Sequence, residues 1–249
     1  RFLAYIRDGI PTNHNTPTVW WIWGPGQAIN AGDGMHALAR LTLFQMAKEG
    51  VPKAQVLQAT QLLDQACLQL CEGQHRDLLF QERLNVSQES YLAMVEDRTG
   101  ALLGCAAELG ALVAGAGKVA RDACREAGLK FGLALQIHQD VRDLFNTESK
   151  EIPTGSILNK KKSLPVIYAM EKAEAQAKRE LGTIYLKRVL DPADVPRLVQ
   201  LLNQVGSQDF CRGIAEEAAE EALAALAHAG IPDQGLGEFR DLTRSILTP

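Results

Sequence analysis

The segment FGLALQIHQDVRDLF, residues Phe131–Phe145, decides the fold of this chain. Its apolar side chains recur at intervals of three or four residues, at Leu133, Ile137, Val141 and Leu144. This spacing predicts an amphipathic helix. We therefore expect a long helix here, with an apolar stripe that packs against the rest of the protein.

The same segment carries four oxygen-bearing side chains, namely Gln136, Gln139, Asp140 and Asp143. Residues three or four apart share one face of a helix, so the two carboxylates leave the same side. Such oxygens suit Mg²⁺, which takes one or two protein carboxylates and completes its shell with water and substrate phosphate. The alternative is an ordinary solvated face, which the spacing alone favours.

Composition and charge exclude several classes of protein. Of the 249 residues, 46% are hydrophobic and 22% are charged, which is ordinary for a soluble globular protein. A net charge of −4 gives no electrostatic reason to expect nucleic acid binding. No apolar run approaches the roughly 20 residues of a membrane span. The five cysteines lack a zinc-binding spacing, so we expect reduced cysteines and a cytoplasmic protein.

Helix-forming residues dominate the chain, and patterns typical of strands are almost absent. We therefore predict an all-α single domain over residues 1–249. Gly100, Gly104 and Gly110 indicate a close helix approach or a kink rather than a domain boundary. A loop is expected at 9–26 and another at 146–163. The predicted helices span about 27–48, 53–80, a stretch that starts after Ser87, 118–145, 164–189, 192–204, 207–229 and 235–247.

Five segments resemble, in their order, the motifs of the trans-isoprenyl diphosphate synthase (polyprenyl synthetase) family. They are NAGD (Asn30–Asp33), GQHRDL (Gly73–Leu78), YLAMVEDRTGALL (Tyr91–Leu103), FGLALQIHQDVRD (Phe131–Asp143) and NKKKSLP (Asn159–Pro165). The resemblance implies a helical bundle of the isoprenoid synthase type around a deep cavity. It also implies Mg²⁺ ions on two aspartate-rich motifs, an allylic prenyl diphosphate as substrate, and a homodimer.

The second aspartate-rich motif of that family corresponds to Gln139–Asp143. Gln139 replaces its first aspartate, so Asp140 and Asp143 are the implied metal ligands. Gln136 matches a glutamine just before this motif. The resemblance gives Asp140, Asp143 and Gln136 a role in catalysis, and it places Gln139 among the residues that contact substrate.

Cations that contact a diphosphate are implied at two further places. Arg98 and Thr99 fall on a Lys-Thr pair of the family, and Arg98 keeps its positive charge. Lys161 falls on a lysine of a later motif, with Lys162 beside it. The resemblance makes Arg98, Lys161 and Lys162 substrate-binding residues and adds Thr99 to the catalytic set. Solvated charge in a loop is the alternative for the lysines. Gln74 and Asp77 are expected to support the site.

The first aspartate-rich motif falls on Ala4–Asp8, where Asp8 is the remaining metal ligand. Either the motif has decayed or the chain joins segments that are separated in the natural protein. We expect further helices ahead of residue 1. Asn13 and His14 stand where the family places two arginines that bind isopentenyl diphosphate. Asn13 and a neutral His14 do not replace two guanidinium groups.

These features leave three hypotheses. A class I terpene synthase, which ionises the allylic diphosphate without condensation, is the one we favour because Asn13 and His14 replace the arginines. A head-to-tail prenyltransferase is favoured by the retained scaffold, including Gln136 and Lys161. An inactive partner subunit is favoured by the lost aspartates at Ala4–Tyr5.

Overall fold

The computed structural model of the protein is almost entirely helical in the residues that it describes, and it confirms the all-α prediction. The described residues are 5–6, 9–13, 16–83, 85–145, 161–187 and 190–247. The chain divides into two compact units, Arg1–Gln61 and Leu62–Pro249. A single domain over all 249 residues therefore stays a prediction.

The first unit opens with a short antiparallel ladder, in which strand β1 (Thr12–Asn13) pairs with strand β2 (Thr16–Pro17). Helix α1 follows at Val19–Gln45 and kinks at Gly24. It begins earlier than the predicted start near residue 27. The indole N–H of Trp20 donates to the carbonyl of Ile10 at 2.8 Å, and this contact fixes the start of the helix against the preceding loop.

The remaining helices follow at nearly the predicted positions. They are α2 (Lys53–Glu82), α3 (Gln88–Val95), α4 (Ala101–Val113), α5 (Lys118–Phe145), α6 (Leu164–Lys172), α7 (Ala175–Leu186), α8 (Val195–Gln204), α9 (Ser207–His228) and α10 (Asp233–Leu247). A π-helical turn at Glu96–Gly100 joins α3 to α4, and a 3₁₀ turn at Pro192–Asp194 precedes α8. The predicted helix 164–189 is two helices, because Ala173 has an extended backbone.

Helix α5 is the centre of the second unit and packs most extensively against α9 and α4. Glycines allow the approach to α4. A Cβ atom on Gly128 would lie 2.6 Å from the Cα of Gly104, and one on Gly132 would lie 2.6 Å from the Cα of Gly100. The predicted close approach is thus confirmed for Gly100 and Gly104. At Gly110 a Cβ atom would meet no heavy atom within 4 Å.

The apolar stripe of α5 lies in the core, as predicted. Ile137, Val141 and Leu144 are buried, and Leu133 is partly buried. No described helix combines the length and the apolar composition that a membrane span requires.

Candidate active site

Asp140 is the centre of a buried polar network in the C-terminal half of α5. Its side chain is almost fully buried. The hydroxyl of Tyr91 on α3 donates a hydrogen bond to Oδ2. Gln136 Nε2 donates to Oδ1 at 2.9 Å, and Lys161 Nζ donates to the same oxygen at 3.2 Å. Both carboxylate oxygens therefore accept hydrogen bonds from the protein itself.

The network extends from α5 to the π-helical turn. Thr99 Oγ1 in this turn donates to Gln136 Oε1 at 3.0 Å, and Gln136 is itself buried. Four predicted site residues from three separate segments, Thr99, Gln136, Asp140 and Lys161, are therefore brought together. The polar face of α5 is covered here, so it is not the solvated face of an ordinary amphipathic helix.

Burial sets the protonation of the groups around this carboxylate. It raises the pKa of the Tyr91 hydroxyl well above its usual range, and the charge of Asp140 raises that pKa further. Tyr91 therefore stays protonated and remains a donor. Burial also raises the pKa of the Cys211 thiol, with a further contribution from Asp140, so this nearby cysteine stays a neutral thiol.

Asp143 lies one turn further along α5 and is only partly buried. Burial raises the pKa of its carboxyl group. Lys161 opposes this effect, and the charge of Asp140 adds to it. Asp143 and Asp140 thus share a neighbourhood, and Asp140 is the more deeply buried of the two. Gln139, also partly buried, precedes Asp140 on the helix.

Asp77 on α2 forms an ion pair with Arg98. Its Nη1 atom is buried and lies 3.2 Å from Oδ2 of Asp77, which is itself buried. The supporting role of Asp77 stays a prediction. Arg98 and Lys161 are both mostly buried, with side chains 16% and 14% exposed. Each therefore carries a positive charge that is largely shielded from water.

The two adjacent lysines have different surroundings. Lys161 Nζ contacts Asp140, whereas Lys162 Nζ lies 4.2 Å from the centre of the Tyr185 ring. Lys162 is almost fully buried. The sequence grouped both lysines as substrate-binding residues, and the structure places Lys161 at the network and the ammonium of Lys162 against Tyr185. The role of Lys162 stays a prediction.

Three predicted site residues, Asp8, Asn13 and His14, come from the N-terminal part of the chain. Asn13 belongs to strand β1 of the first unit. Asp8 and His14 lie outside the described residues. Their assigned roles, metal binding for Asp8 and substrate binding for Asn13 and His14, remain predictions.

The donor set bears on whether Mg²⁺ fits. Because both oxygens of Asp140 are engaged by protein donors, Asp143 is the better-placed carboxylate on α5, with Gln139 beside it. Among the residues that the structure describes, no three His, Cys, Asp or Glu side chains are grouped to hold a metal ion. The arrangement fits an ion that takes one carboxylate from this helix and further oxygens from water and a bound phosphate.

Sequence reasoning missed two features of the site. Tyr91 opens the third motif, but its contact with Asp140 becomes visible only when α3 is placed against α5. The π-helical turn was also missed. In it the N–H of Ala101 donates to the carbonyl of Glu96, five residues back, and such turns are frequent at functional sites. Arg98 and Thr99 both lie in this turn.

Comparison with known proteins gives a consistent set of relatives. The family model described as Polyprenyl synthetase matches residues 4–202. The chain is 34% identical over 227 residues to the geranylgeranyl diphosphate synthase of Mycobacterium tuberculosis, covering 90% of this chain and 63% of that protein. It is 31% identical over 239 residues to the geranylfarnesyl diphosphate synthase of Aeropyrum pernix, covering 95% and 72%. The chain thus spans less than two thirds of the first relative.

Solved structures agree with these sequence relatives. A geranylgeranyl pyrophosphate synthetase from Pyrococcus horikoshii has a TM-score of 0.86 at 30% identity, covering 100% of this chain and 75% of that one. A polyprenyl synthase from Caulobacter crescentus, complexed with calcium and isoprenyl diphosphate, has a TM-score of 0.84 at 26% identity. That match covers 98% of this chain and 73% of the other.

Proposed function

Because the chain belongs to the polyprenyl synthetase family, we propose that it acts as a head-to-tail prenyltransferase. Its substrates would be an allylic prenyl diphosphate and isopentenyl diphosphate. This is the second of the three sequence-based hypotheses. The relatives support it better than the terpene synthase that the sequence alone favoured, because they are named as prenyl diphosphate synthases.

The observation that carries this proposal is the hydrogen-bonded network that joins Thr99, Gln136, Asp140 and Lys161. A prenyl transfer begins when the bond between the allylic carbon and the diphosphate breaks. Negative charge then grows on the leaving pyrophosphate and must be neutralised. The network holds the ammonium of Lys161 in one place before a substrate arrives, so little reorganisation is needed during the reaction.

In this proposal Asp140 acts as a positioning residue. Its two oxygens bind Tyr91, Gln136 and Lys161, and they thereby fix the direction of the Lys161 side chain. Arg98, anchored by Asp77, adds a second cation that can bind phosphate oxygens through a guanidinium fork. Asp143 and Gln139 would hold Mg²⁺, which supplies further positive charge to the diphosphate when it is bound.

A terpene synthase remains a second candidate, because of Asn13. A prenyltransferase holds two diphosphates at once, and their like charges repel unless each has its own cations. Asn13 supplies no such charge where the family places an arginine. The two candidates therefore differ in whether isopentenyl diphosphate takes part in the reaction.

Product analysis of the full natural protein tests the proposal. The protein is incubated with geranyl or farnesyl diphosphate and Mg²⁺, with and without isopentenyl diphosphate, and the products are separated by chromatography. We expect a longer prenyl diphosphate only when both substrates are present. A hydrocarbon or an alcohol formed without isopentenyl diphosphate would establish the terpene synthase instead. No product from any allylic diphosphate would indicate the inactive partner subunit.

We further propose that the protein is a homodimer. Helix α1 exposes the side chains of Met35, Leu38, Leu41 and Phe44 by 48–61%. Large apolar side chains grouped on one helix mark an interaction surface more often than a free one. Sedimentation of the full protein at micromolar concentration should show a dimer, and the substitution Leu38→Glu should shift it towards monomer. A monomer before any substitution would contradict this proposal.

A further inference from the structure

Two ion pairs of opposite polarity join α2 to the π-helical turn. Arg76 Nη2 pairs with Oδ2 of Asp97, and the next residue on each segment continues the contact, since Asp77 and Arg98 pair at 3.2 Å. A shift of this contact by one residue would bring Arg76 against Arg98 or Asp77 against Asp97. Like charges placed opposite each other are unfavourable, so the charge pattern selects one register of the turn against α2.

The backbones of the same two segments also lie close together. Gly73 lies one turn before Asp77 on α2, and a Cβ atom on Gly73 would lie 2.5 Å from the backbone nitrogen of Arg98 and 2.8 Å from its Cα atom. Three contacts with α2 therefore locate Arg98. Gly73 approaches its backbone, Asp77 pairs with its side chain, and Arg76 pairs with the residue before it. Of these three, the contact of Arg76 acts on Arg98 indirectly.

The guanidinium group of Arg98 has hydrogen-bonding capacity that the described protein groups leave unused. Its Nη1 atom is buried and makes no hydrogen bond within the part of the chain that the structure describes, although Oδ2 of Asp77 lies 3.2 Å away. Buried donors without an acceptor are rare in native proteins. A ligand can supply the acceptor, and the oxygens of a diphosphate suit the fork of a guanidinium group.

The outer ion pair is too exposed to contribute much to the stability of the fold. The side chains of Arg76 and Asp97 are 39% and 21% exposed. Ion pairs in contact with solvent stabilise proteins little, because water and salt screen their charges. The pair nevertheless lies directly beside Arg98, so its main effect falls on the orientation of the turn rather than on the free energy of unfolding.

We propose that Arg76 is a positioning residue, which acts through Asp97 to hold the π-helical turn so that the guanidinium group of Arg98 faces a bound diphosphate. Arg76 itself does not contact the ligand in this proposal, and the sequence analysis did not include it among the site residues. The inference rests on the proposed prenyl transfer, because it takes the diphosphate of that reaction as the ligand of Arg98.

Calorimetric titration of the full protein with pyrophosphate in the presence of Mg²⁺ tests the proposal. We expect Arg76→Ala to weaken the binding of pyrophosphate about tenfold, and Arg76→Lys, which keeps the charge, to recover part of this loss. The matched control is Arg197→Ala, since Arg197 on α8 pairs with Glu180 on α7 and the two side chains are 44% and 35% exposed. The control should bind pyrophosphate within about twofold of the wild type. Thermal melts check that each variant folds.

The sign of the effect at Asp97 separates positioning from simple electrostatics. Asp97→Ala removes a negative charge near the ligand, so charge alone predicts tighter binding of pyrophosphate. Loss of the ion pair predicts weaker binding instead, and Arg76→Ala/Asp97→Ala should then bind no more weakly than either single variant. When Arg98→Ala is already present, Arg76→Ala should have no further effect, because the side chain through which Arg76 acts is gone.

Several outcomes would refute the positioning role. They are a loss in Arg76→Ala no larger than that in Arg197→Ala, tighter binding in Asp97→Ala, an undiminished effect of Arg76→Ala in the absence of Arg98, and a wild type that does not bind pyrophosphate. The proposed function is tested separately, by the products formed from the allylic and isopentenyl diphosphates. A wild type that binds pyrophosphate but forms no longer prenyl diphosphate would refute prenyl transfer, while the titrations would still decide the role of Arg76.

Discussion

The two halves of helix α5 pack against their neighbours in opposite ways. The N-terminal half approaches α4 because Gly128 and Gly132 have no side chains. The C-terminal half instead contacts its neighbours through a network of hydrogen-bonded polar groups centred on Asp140. The first half sets the distance between two helices, and the second sets the position of a cation. One helix therefore meets the demands of folding and of chemistry in separate segments.

The largest effect on the free energy of unfolding is expected from a substitution of Asp140, the centre of the polar half. The substitution Asp140→Ala removes the carboxylate that accepts hydrogen bonds from Tyr91, Gln136 and Lys161. These buried donors are then left without that partner. Loss of one partner from a buried charged pair costs about 3–5 kcal/mol of the free energy of unfolding. Urea denaturation followed by circular dichroism measures this loss. Asp143→Ala, one turn away and less enclosed, is the control and should cost clearly less. Equal losses would show that the network does not stabilise the fold.

A smaller effect is expected at the edge of the polar half. Tyr91→Phe removes one hydrogen bond to a buried carboxylate, which should cost about 1.5–3 kcal/mol. Tyr185→Phe is the matched control, because the Tyr185 hydroxyl is buried and makes no hydrogen bond within the part of the chain that the structure describes. Its removal should leave the free energy of unfolding unchanged or slightly higher. A loss at Tyr185 as large as that at Tyr91 would mean that ring packing, rather than the hydroxyl, is being measured.

One added methyl group should disrupt the packing of the N-terminal half of α5, where Gly128 and Gly132 contact α4. In Gly128→Ala the new Cβ atom would lie 2.5 Å from the carbonyl oxygen of Leu103, so α4 and α5 must move apart. Overpacking of this kind costs about 1–3 kcal/mol. Gly110→Ala on α4 has no heavy atom within 4 Å and should instead stabilise the helix by about 0.5–1 kcal/mol. Thermal unfolding of the two variants should therefore shift in opposite directions, and a shift of the same sign would contradict the close-packing account.

The smallest effect concerns pH. Burial raises the pKa of Asp143 above its value in the unfolded chain, so the folded state binds the proton more tightly. The ionised carboxylate of Asp143 therefore destabilises the folded state. This destabilisation is absent well below the pKa of the unfolded chain, where both states are protonated. It develops as pH rises from about 4 through the pKa of the folded state. Stability of the wild type should therefore fall over this range relative to Asp143→Asn. Urea titrations of both proteins at several pH values measure the difference, and parallel curves would contradict the direction of the shift.

Helix α5 itself was predictable from the sequence, at Lys118–Phe145. A glycine-containing turn precedes it and a polar, lysine-bearing loop follows it, so local composition marks both ends. A close helix approach or a kink was predicted at Gly100 and Gly104, but the sequence did not identify α5 as the partner. Small residues at helical spacing have few other uses in the middle of a helix, where each of them costs stability.

The burial of the polar face could not be predicted from spacing. The periodicity of Gln136, Gln139, Asp140 and Asp143 says which side chains share a face, but not which other segment covers that face. The covering groups come from Tyr91 and Lys161, which are 49 and 21 residues away from Asp140. A repeated polar pattern on one helix is therefore compatible with both a solvated surface and a site until the neighbouring segments are placed.

The divergence of Lys161 and Lys162 was unpredictable for a similar reason. Both lie in a run of three lysines, where sequence alone gives each the same expected role. Their separation depends on the start of α6, since adjacent side chains at a helix entrance leave in different directions.

The break at Ala173 was missed because alanine favours helix, and no glycine or proline marks the position.

The π-helical turn at Glu96–Gly100 has a consequence for the evolution of the chain. Its extra residue changes the rotational phase of α3 relative to α4, since each residue of an α-helix accounts for about 100° of rotation. Tyr91 before the turn, Gly100 at its end and Gly104 after it can thus all face α5. Deletion of a single residue between 96 and 100 would restore a regular helix and turn one of these groups away. The length of this short stretch should therefore be as strongly constrained as the identities of Thr99 and Gly100 within it.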